Sequence, residues 1–182
     1  YSIDFNVKDA NGNENVFKDA IKFEITNILD LSLEINKENV IPVSSFEISG
    51  SIIDVYGKKI NKGNAIIRFN RNEYRENIFL GSFSSKIDID SNIKSGIHTI
   101  LVEAYDEAGN KGVKSTGINV ISQAGYINLT TDKDSYKPGE KIIVKASVYD
   151  QGGDVLNREI KIEVRDSNNE KKADEITKND FE

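Results

Sequence analysis

Apolar and polar residues alternate along most of this chain, the period of an extended strand with one face in a core. Ile3, Phe5 and Val7 point one way, and Asp4, Asn6 and Lys8 the other. Phe46, Ile48 and Ile52 follow the same rule, with Gly50 between them and Glu47, Ser49 and Ser51 facing outward. Ile100, Val102 and Ala104 repeat it, as do Ile142, Val144, Ala146 and Val148. Turn-forming pairs separate the runs: Asn11-Gly12, Tyr56-Gly57, Gly109-Asn110 and Gly152-Gly153. No stretch sustains a 3.6-residue period, so the pattern predicts an all-β chain.

The alternation is itself repeated. Val7-Lys8-Asp9-Ala10-Asn11-Gly12-Asn13 returns 97 residues later as Ala104-Tyr105-Asp106-Glu107-Ala108-Gly109-Asn110. Leu33 to Lys37 aligns with Leu129 to Lys133, and from there Pro42 falls on Pro138, Ile48 on Val144, Ile52 on Val148 and Asp54 on Asp150. Ala65, Ile67 and Phe69 match Ile160, Ile162 and Val164, and Phe83 matches Phe181. A unit returning at such an interval marks a tandem array. The spacing predicts one complete β-sandwich over residues 29 to 122, with about seven short strands. Residues 1 to 28 read as the last hairpin of a preceding module, and residues 123 to 182 as the first part of a following one. The chain opens at Tyr1 rather than Met, as expected of a processed product or a window cut from a longer array. Half-modules leave apolar faces and strand edges open, and head-to-tail strand exchange between chains is one route to covering them. The linkers, Thr26 to Asp30 and Ser122 to Gly125, are short, and Ile28 and Leu29 are placed to seat one module on the next. A semi-rigid rod follows from this rather than a freely jointed chain.

Composition narrows the partners. The net charge is -6, and its lysines are scattered among acids, which argues against a nucleic-acid backbone as ligand. No run approaches the length of a membrane span, and no signal peptide opens the chain. Cysteine is absent, which removes disulfides, thiol catalysis and thiolate metal sites together.

By these repeats the chain resembles the immunoglobulin-like modules of large bacterial and archaeal surface proteins. The hairpin from Ala104 to Asn110 is similar to one frequent in that group. Asp134-Ser135-Tyr136-Lys137-Pro138-Gly139-Glu140 resembles the opening of macroglobulin-type modules. The first full module departs from it, with Val40-Ile41-Pro42-Val43 at that place, and nothing matches a thioester or bait region. The resemblance implies a fold with many functional hosts and an extracellular, cell-surface home.

Candidate chemistry is sparse. In such a sandwich the turn after the second strand and the hairpin joining the last two strands lie at one pole, which faces the preceding module. That places Asp54 near Asp106 and Glu107, with Asp30 of the linker in reach. Oxygens gathered there suit Ca²⁺, a hard cation taking six to eight oxygen ligands. The competing reading is that Asp54, Asp106 and Asp150 hydrogen-bond their own turns. Asp88 and Asp90 share a strand face, a spacing compatible with paired-carboxylate chemistry but without a companion cluster or pocket signal. His98 is the only histidine and reads as structural. Tyr56, Tyr105 and Tyr149 flank loops, as glycan contacts or as rim packing. Asn128-Leu129-Thr130 fits the N-glycosylation pattern.

The expected role is spatial: a stalk, spacer or surface-lattice component, S-layer-like, whose partners are neighbouring modules of the same protein or further copies of it. Two alternatives belong to other classes, an adhesion or carbohydrate-binding module and an accessory part of a secreted hydrolase. No cofactor is expected beyond Ca²⁺ at the joints, and no enzyme within these residues.

Overall fold

The computed structural model of the chain describes residues 1–23 and 25–178, and contains strands and no helix among them. Phe181, the expected counterpart of Phe83, lies outside the described residues.

The first strands, β1 (Ser2–Lys8) and β2 (Glu14–Lys22), form a hairpin of their own. Ile3 lies opposite Ile21 and Phe5 opposite Phe17, so the apolar residues share one face, extended by Tyr1 stacked on Phe23. The register shifts around Asp19, whose φ is 52° and whose N–H donates to Asp4 Oδ1 at 2.7 Å.

Eight strands follow in one continuous ladder: β3 (Asp30–Ile35), β4 (Asn39–Val40), β5 (Ser45–Ile53), β6 (Lys62–Phe69), β7 (Asn72–Phe79), β8 (Ser82–Asp88), β9 (Gly96–Asp106) and β10 (Lys111–Val120). Their order is β3-β5-β8-β7-β6-β9-β10-β4. A single pair, Phe79 with Ser82 across a tight turn, joins β7 to β8. The ladder therefore folds into two layers, β3-β5-β8 against β7-β6-β9-β10, with β4 running parallel to the end of β10. Crossovers from β5 to β6 and from β8 to β9 give the Greek-key connectivity of an immunoglobulin-type sandwich.

The core lies between the layers and follows the alternation. Phe46, Ile48 and Ile52 of β5 are buried against Ala65, Ile67 and Phe69 of β6 and Ile100, Val102 and Ala104 of β9. Gly50 keeps the inward phase without a side chain for a steric reason: a Cβ there would stand 2.3 Å from Phe83 Cε1. The ring of Phe83 fills the space that the missing side chain leaves. At the linker the two apolar residues part company. Leu29 is buried in this core, whereas Ile28 remains exposed, so it does not seat one module on another.

Beyond the sandwich, β11 (Ala124–Thr131) pairs antiparallel with β12 (Val144–Asp150), as β3 does with β5. A second pair, β13 (Glu159–Arg165) and β14 (Lys171–Lys178), corresponds to β6 and β7. Strand β12 begins at Val144, later than the apolar run suggests. Ile142 is 41% exposed, and the next residue is turned to Asp132, whose carboxylate accepts the Ile143 N–H at 3.0 Å.

Candidate functional site

The structure gathers its polar chemistry at the ends of the strands, in one recurring turn. An aspartate accepts the N–H groups two and four residues ahead with a single oxygen, Oδ1. Asp9 does so from Asn11 and Asn13, Asp54 from Tyr56 and Lys58, Asp106 from Ala108 and Asn110, Asp150 from Gly152 and Asp154, and Asp166 from Asn168 and Glu170. A glycine at positive φ closes four of these turns, at Gly12, Gly57, Gly109 and Gly153, where a side chain would be strained. Asn169 does the same in the fifth, with φ 65°.

Three of the four carboxylates expected at the first pole do come together. Asp54, Asp106 and Glu107 line a cleft of about 250 Å³, but they share it with Lys58, Lys59 and Lys62. Asp30 opens β3 opposite Ile53 and is not among the lining residues. Asp106 is already committed, with Oδ1 on its turn and Oδ2 accepting Asn110 Nδ2 at 2.7 Å. Among the described residues no three His, Asp or Glu side chains converge in a metal-holding group. Lysine ammonium groups around the cleft offset the carboxylate charge that would draw a cation there.

Burial works to raise the pKa of Asp106, but hydrogen bonds from the Asn110 side chain and from the N–H groups of Asn110, Ala108 and Gly109 outweigh it, leaving the carboxyl below its ordinary value. A carboxyl lowered on folding contributes stability that is complete above about pH 4 and is lost as pH falls through the folded value. The urea midpoint of the chain is therefore expected to fall as the pH drops below about 4. Asp106→Asn should flatten that dependence, and equal slopes for the two chains would remove Asp106 from its cause.

The other expected sites are dispersed. Asp88 pairs loosely with Lys86 at 3.8 Å, and Asp90 lies at 3.5 Å from Asn70 Nδ2, both on the solvent side of buried Ile89. His98 Nε2 contacts the Lys94 carbonyl oxygen at 2.8 Å, and its ring leans on Phe69. Asn128 is exposed in β11, opposite Ser147. Tyr149 stacks on Tyr126 at 4.7 Å, Tyr105 lies under Lys111 Nζ, and Tyr56 is 91% exposed.

Two features had no local signal. Glu103, in β9, accepts from both Lys111 and Arg68, and Arg68 reaches on to Glu73 at 3.1 Å, a charged ladder across four strands. The Lys111 hydrogen bond, then that of Arg68, lowers the Glu103 pKa.

The second feature is the joint after β10. Gln151 N–H donates to the Gln123 carbonyl oxygen at 3.2 Å, and Gln123 N–H returns a bond to Gln151 Oε1 at 2.8 Å. Gln151 Nε2 reaches the Ile93 carbonyl oxygen at 3.1 Å, and Ser95 Oγ donates to Asp150 Oδ2 at 2.7 Å. The joint before β3 is also bonded through the main chain. Lys111 N–H donates to the Asn27 carbonyl oxygen at 2.8 Å, and Leu29 N–H to that of Lys111 at 2.9 Å.

The fold so described defines the class: an all-β chain of immunoglobulin-type sandwich modules in tandem. No family model matches the chain, and no curated protein matches it. Among solved structures it is similar to a tetra-tandem repeat in the extending region of a large adhesion protein, at 18% identity and a TM-score of 0.48, covering 96% of this chain and 44% of that one. A 1.5-MDa bacterial ice-binding adhesin aligns over 85% of this chain and 64% of its own, at 11% identity and a TM-score of 0.37. A CARDB domain from Pyrococcus furiosus, solved in complex with di-metal ions, aligns over 53% of this chain and 97% of its own, at 14% identity and a TM-score of 0.35. The chain thus spans less than half of the tetra-tandem structure, and these likenesses concern the fold.

Proposed function

We propose that the chain is a spacer: a stretch of a stalk or surface lattice on a microbial cell exterior, setting the distance between what lies at either end. The observation that carries this reading is the bonding of both linkers. Asn27 and Leu29 are tied to Lys111, and Gln123 to Gln151. A linker whose backbone is hydrogen-bonded has lost the freedom that makes a tether flexible. The partners in this reading are adjoining modules or further copies of the chain, and it assigns no catalysis to Asp88, Asp90 or His98.

Small-angle scattering over a concentration series tests it. The expected profile is that of an extended particle with a single maximum dimension, and a flexible-chain profile would remove the reading. Repeating the series with Ca²⁺ tests the cleft of Asp54, Asp106 and Glu107. With Asp54 Oδ1 and both oxygens of Asp106 engaged in turns, neither the profile nor the melting temperature is expected to change. A shift abolished by Asp54→Asn would instead put calcium in that cleft.

A second reading, adhesion, is favoured by one observation, the exposure of Tyr56 at the pole of the complete sandwich. An aromatic ring presented to solvent is a stacking surface for a sugar. Glycan-array binding that disappears in Tyr56→Ala would support it.

A further inference from the structure

The five aspartate turns are built alike but differ in one atom, the second carboxylate oxygen. At Asp9 and Asp106, on the hairpins, the fourth residue ahead is asparagine, and its Nδ2 closes the turn onto Oδ2 at 2.7 Å in both. At Asp166, Oδ2 takes Lys172 Nζ at 2.9 Å. At Asp150 the fourth residue ahead is Asp154, which has no amide to offer. Oδ2 is therefore left for another donor, and it receives the hydroxyl of Ser95, 55 residues earlier in the chain and in the preceding sandwich.

Asp150 is also set apart by its surroundings. It is 1% exposed, one of only two buried polar side chains among the described residues. A buried carboxylate oxygen that loses its donor keeps the full cost of its desolvation, so the Ser95 bond holds two modules in register with unusual leverage. Around it the surfaces meet closely. A Cβ on Gly152 would stand 2.7 Å from Lys94 Cα, so only glycine permits the approach. Gln151 grips the same loop through the Ile93 carbonyl oxygen. The flanking Lys94–Asp154 pair, at 3.5 Å and well exposed, adds little.

We infer that Asp150 and Gln151 form a latch on the loop of residues 93–95 that fixes the angle between the complete sandwich and the module after it. An asparagine four places beyond the aspartate closes the turn on itself. Its absence leaves Oδ2 open to a donor from elsewhere, which at Asp150 comes from across the joint. At the same position in the complete sandwich, Asp54 likewise lacks an asparagine to close its turn, but no donor from a neighbouring module reaches it among the described residues. Lys58 stands four residues ahead, and Oδ2 of Asp54 has no hydrogen-bond partner among the described residues. The latch deepens the spacer reading and rests on it.

Residual dipolar couplings of backbone amides on the whole chain test it. In the unaltered chain, one alignment tensor is expected to fit residues 30–120 and 144–165 together. In Ser95→Ala combined with Gln151→Ala, two tensors are expected, with the second set weakened, while amide shifts within residues 30–120 stay in place. Asp154→Asn should release the joint by another route, because its new side-chain amide draws Oδ2 back into the turn. Lys94→Ala, which removes only the exposed ion pair, should leave one tensor. A single unchanged tensor in both the Ser95/Gln151 variant and Asp154→Asn would overturn the latch and leave the spacer reading standing. Two independent tensors in the unaltered chain would overturn both.

Discussion

Phe46→Ala is expected to lower the stability of the complete sandwich by about 3–5 kcal/mol, the usual cost of emptying a large buried aromatic position. Phe46 is 1% exposed and meets Phe69 edge to face, with ring centroids 5.6 Å apart. It sits in β5, which pairs with both β3 and β8, so its surroundings are held by ladders on two sides and cannot collapse into the space. A domain of this size carries about 5–15 kcal/mol in total, so a third or more of it should go. The urea midpoint followed by circular dichroism should fall with little change in slope. Val113→Ala, at an exposed strand position with an ordinary φ, is the matched control and should stay within about 1 kcal/mol of the unaltered chain. A loss below about 1 kcal/mol for Phe46→Ala would mean that the layers do not close over it.

Gly63→Ala should be the costliest of the single-methyl additions. Its Cβ would stand 2.0 Å from the Tyr105 carbonyl oxygen and 3.1 Å from Asp106 Cα, both main-chain atoms of β9. A flexible side chain can step aside, but a paired strand cannot, and overpacking of this kind costs about 1–3 kcal/mol or more. Gly57→Ala is the instructive comparison. Nothing lies within 4 Å of its Cβ, so its penalty is only that of φ at 79°, about 1–2 kcal/mol. Displacing Tyr105 also displaces Asp106, so Gly63→Ala should disturb the cleft shared with Asp54, seen as shifted amide resonances of Ala108 and Asn110. Equal destabilisation by the two substitutions would show that the β6–β9 ladder gives way easily.

Much of this architecture was legible because it is local. Alternation at Phe46, Ile48 and Ile52, or at Ile100, Val102 and Ala104, depends only on the two-residue period of a strand. The turns at Asp54 and Asp106 were legible too, since donor and acceptor lie within five residues. Gly50 stood out as a break in an inward row, but its partner Phe83 is on another strand, and nothing near Gly50 announces it. The fates of Ile28 and Leu29 illustrate the same limit. Both are apolar and adjacent, and only the depth of the sandwich decides that Leu29 enters while Ile28 does not. At the poles, the expected gathering of Asp54, Asp106 and Glu107 followed from topology, whereas the three lysines that share their cleft did not. The Ser95–Asp150 bond was out of reach, because a hydroxyl and a carboxylate 55 residues apart carry no mutual periodicity.

The parallel pairing of β4 with β10 decides how the sandwich answers tension. The chain enters beside Lys111, at one end of β10, and leaves past Ile121, at the other. Pulling on the two ends therefore drags β4 and β10 in opposite directions along their own axes. The bonds from Asn119 N–H to Glu38 and from Ile121 N–H to Val40 cross between those strands, joined by Asn119 Nδ2 on Asn39. They are sheared together rather than peeled in turn, and the pair at Asn27 and Leu29 shares the strain from the far end. Force must break these contacts as a group before it reaches Phe46 or Ile67, so the module should hold its length up to a threshold and then yield abruptly.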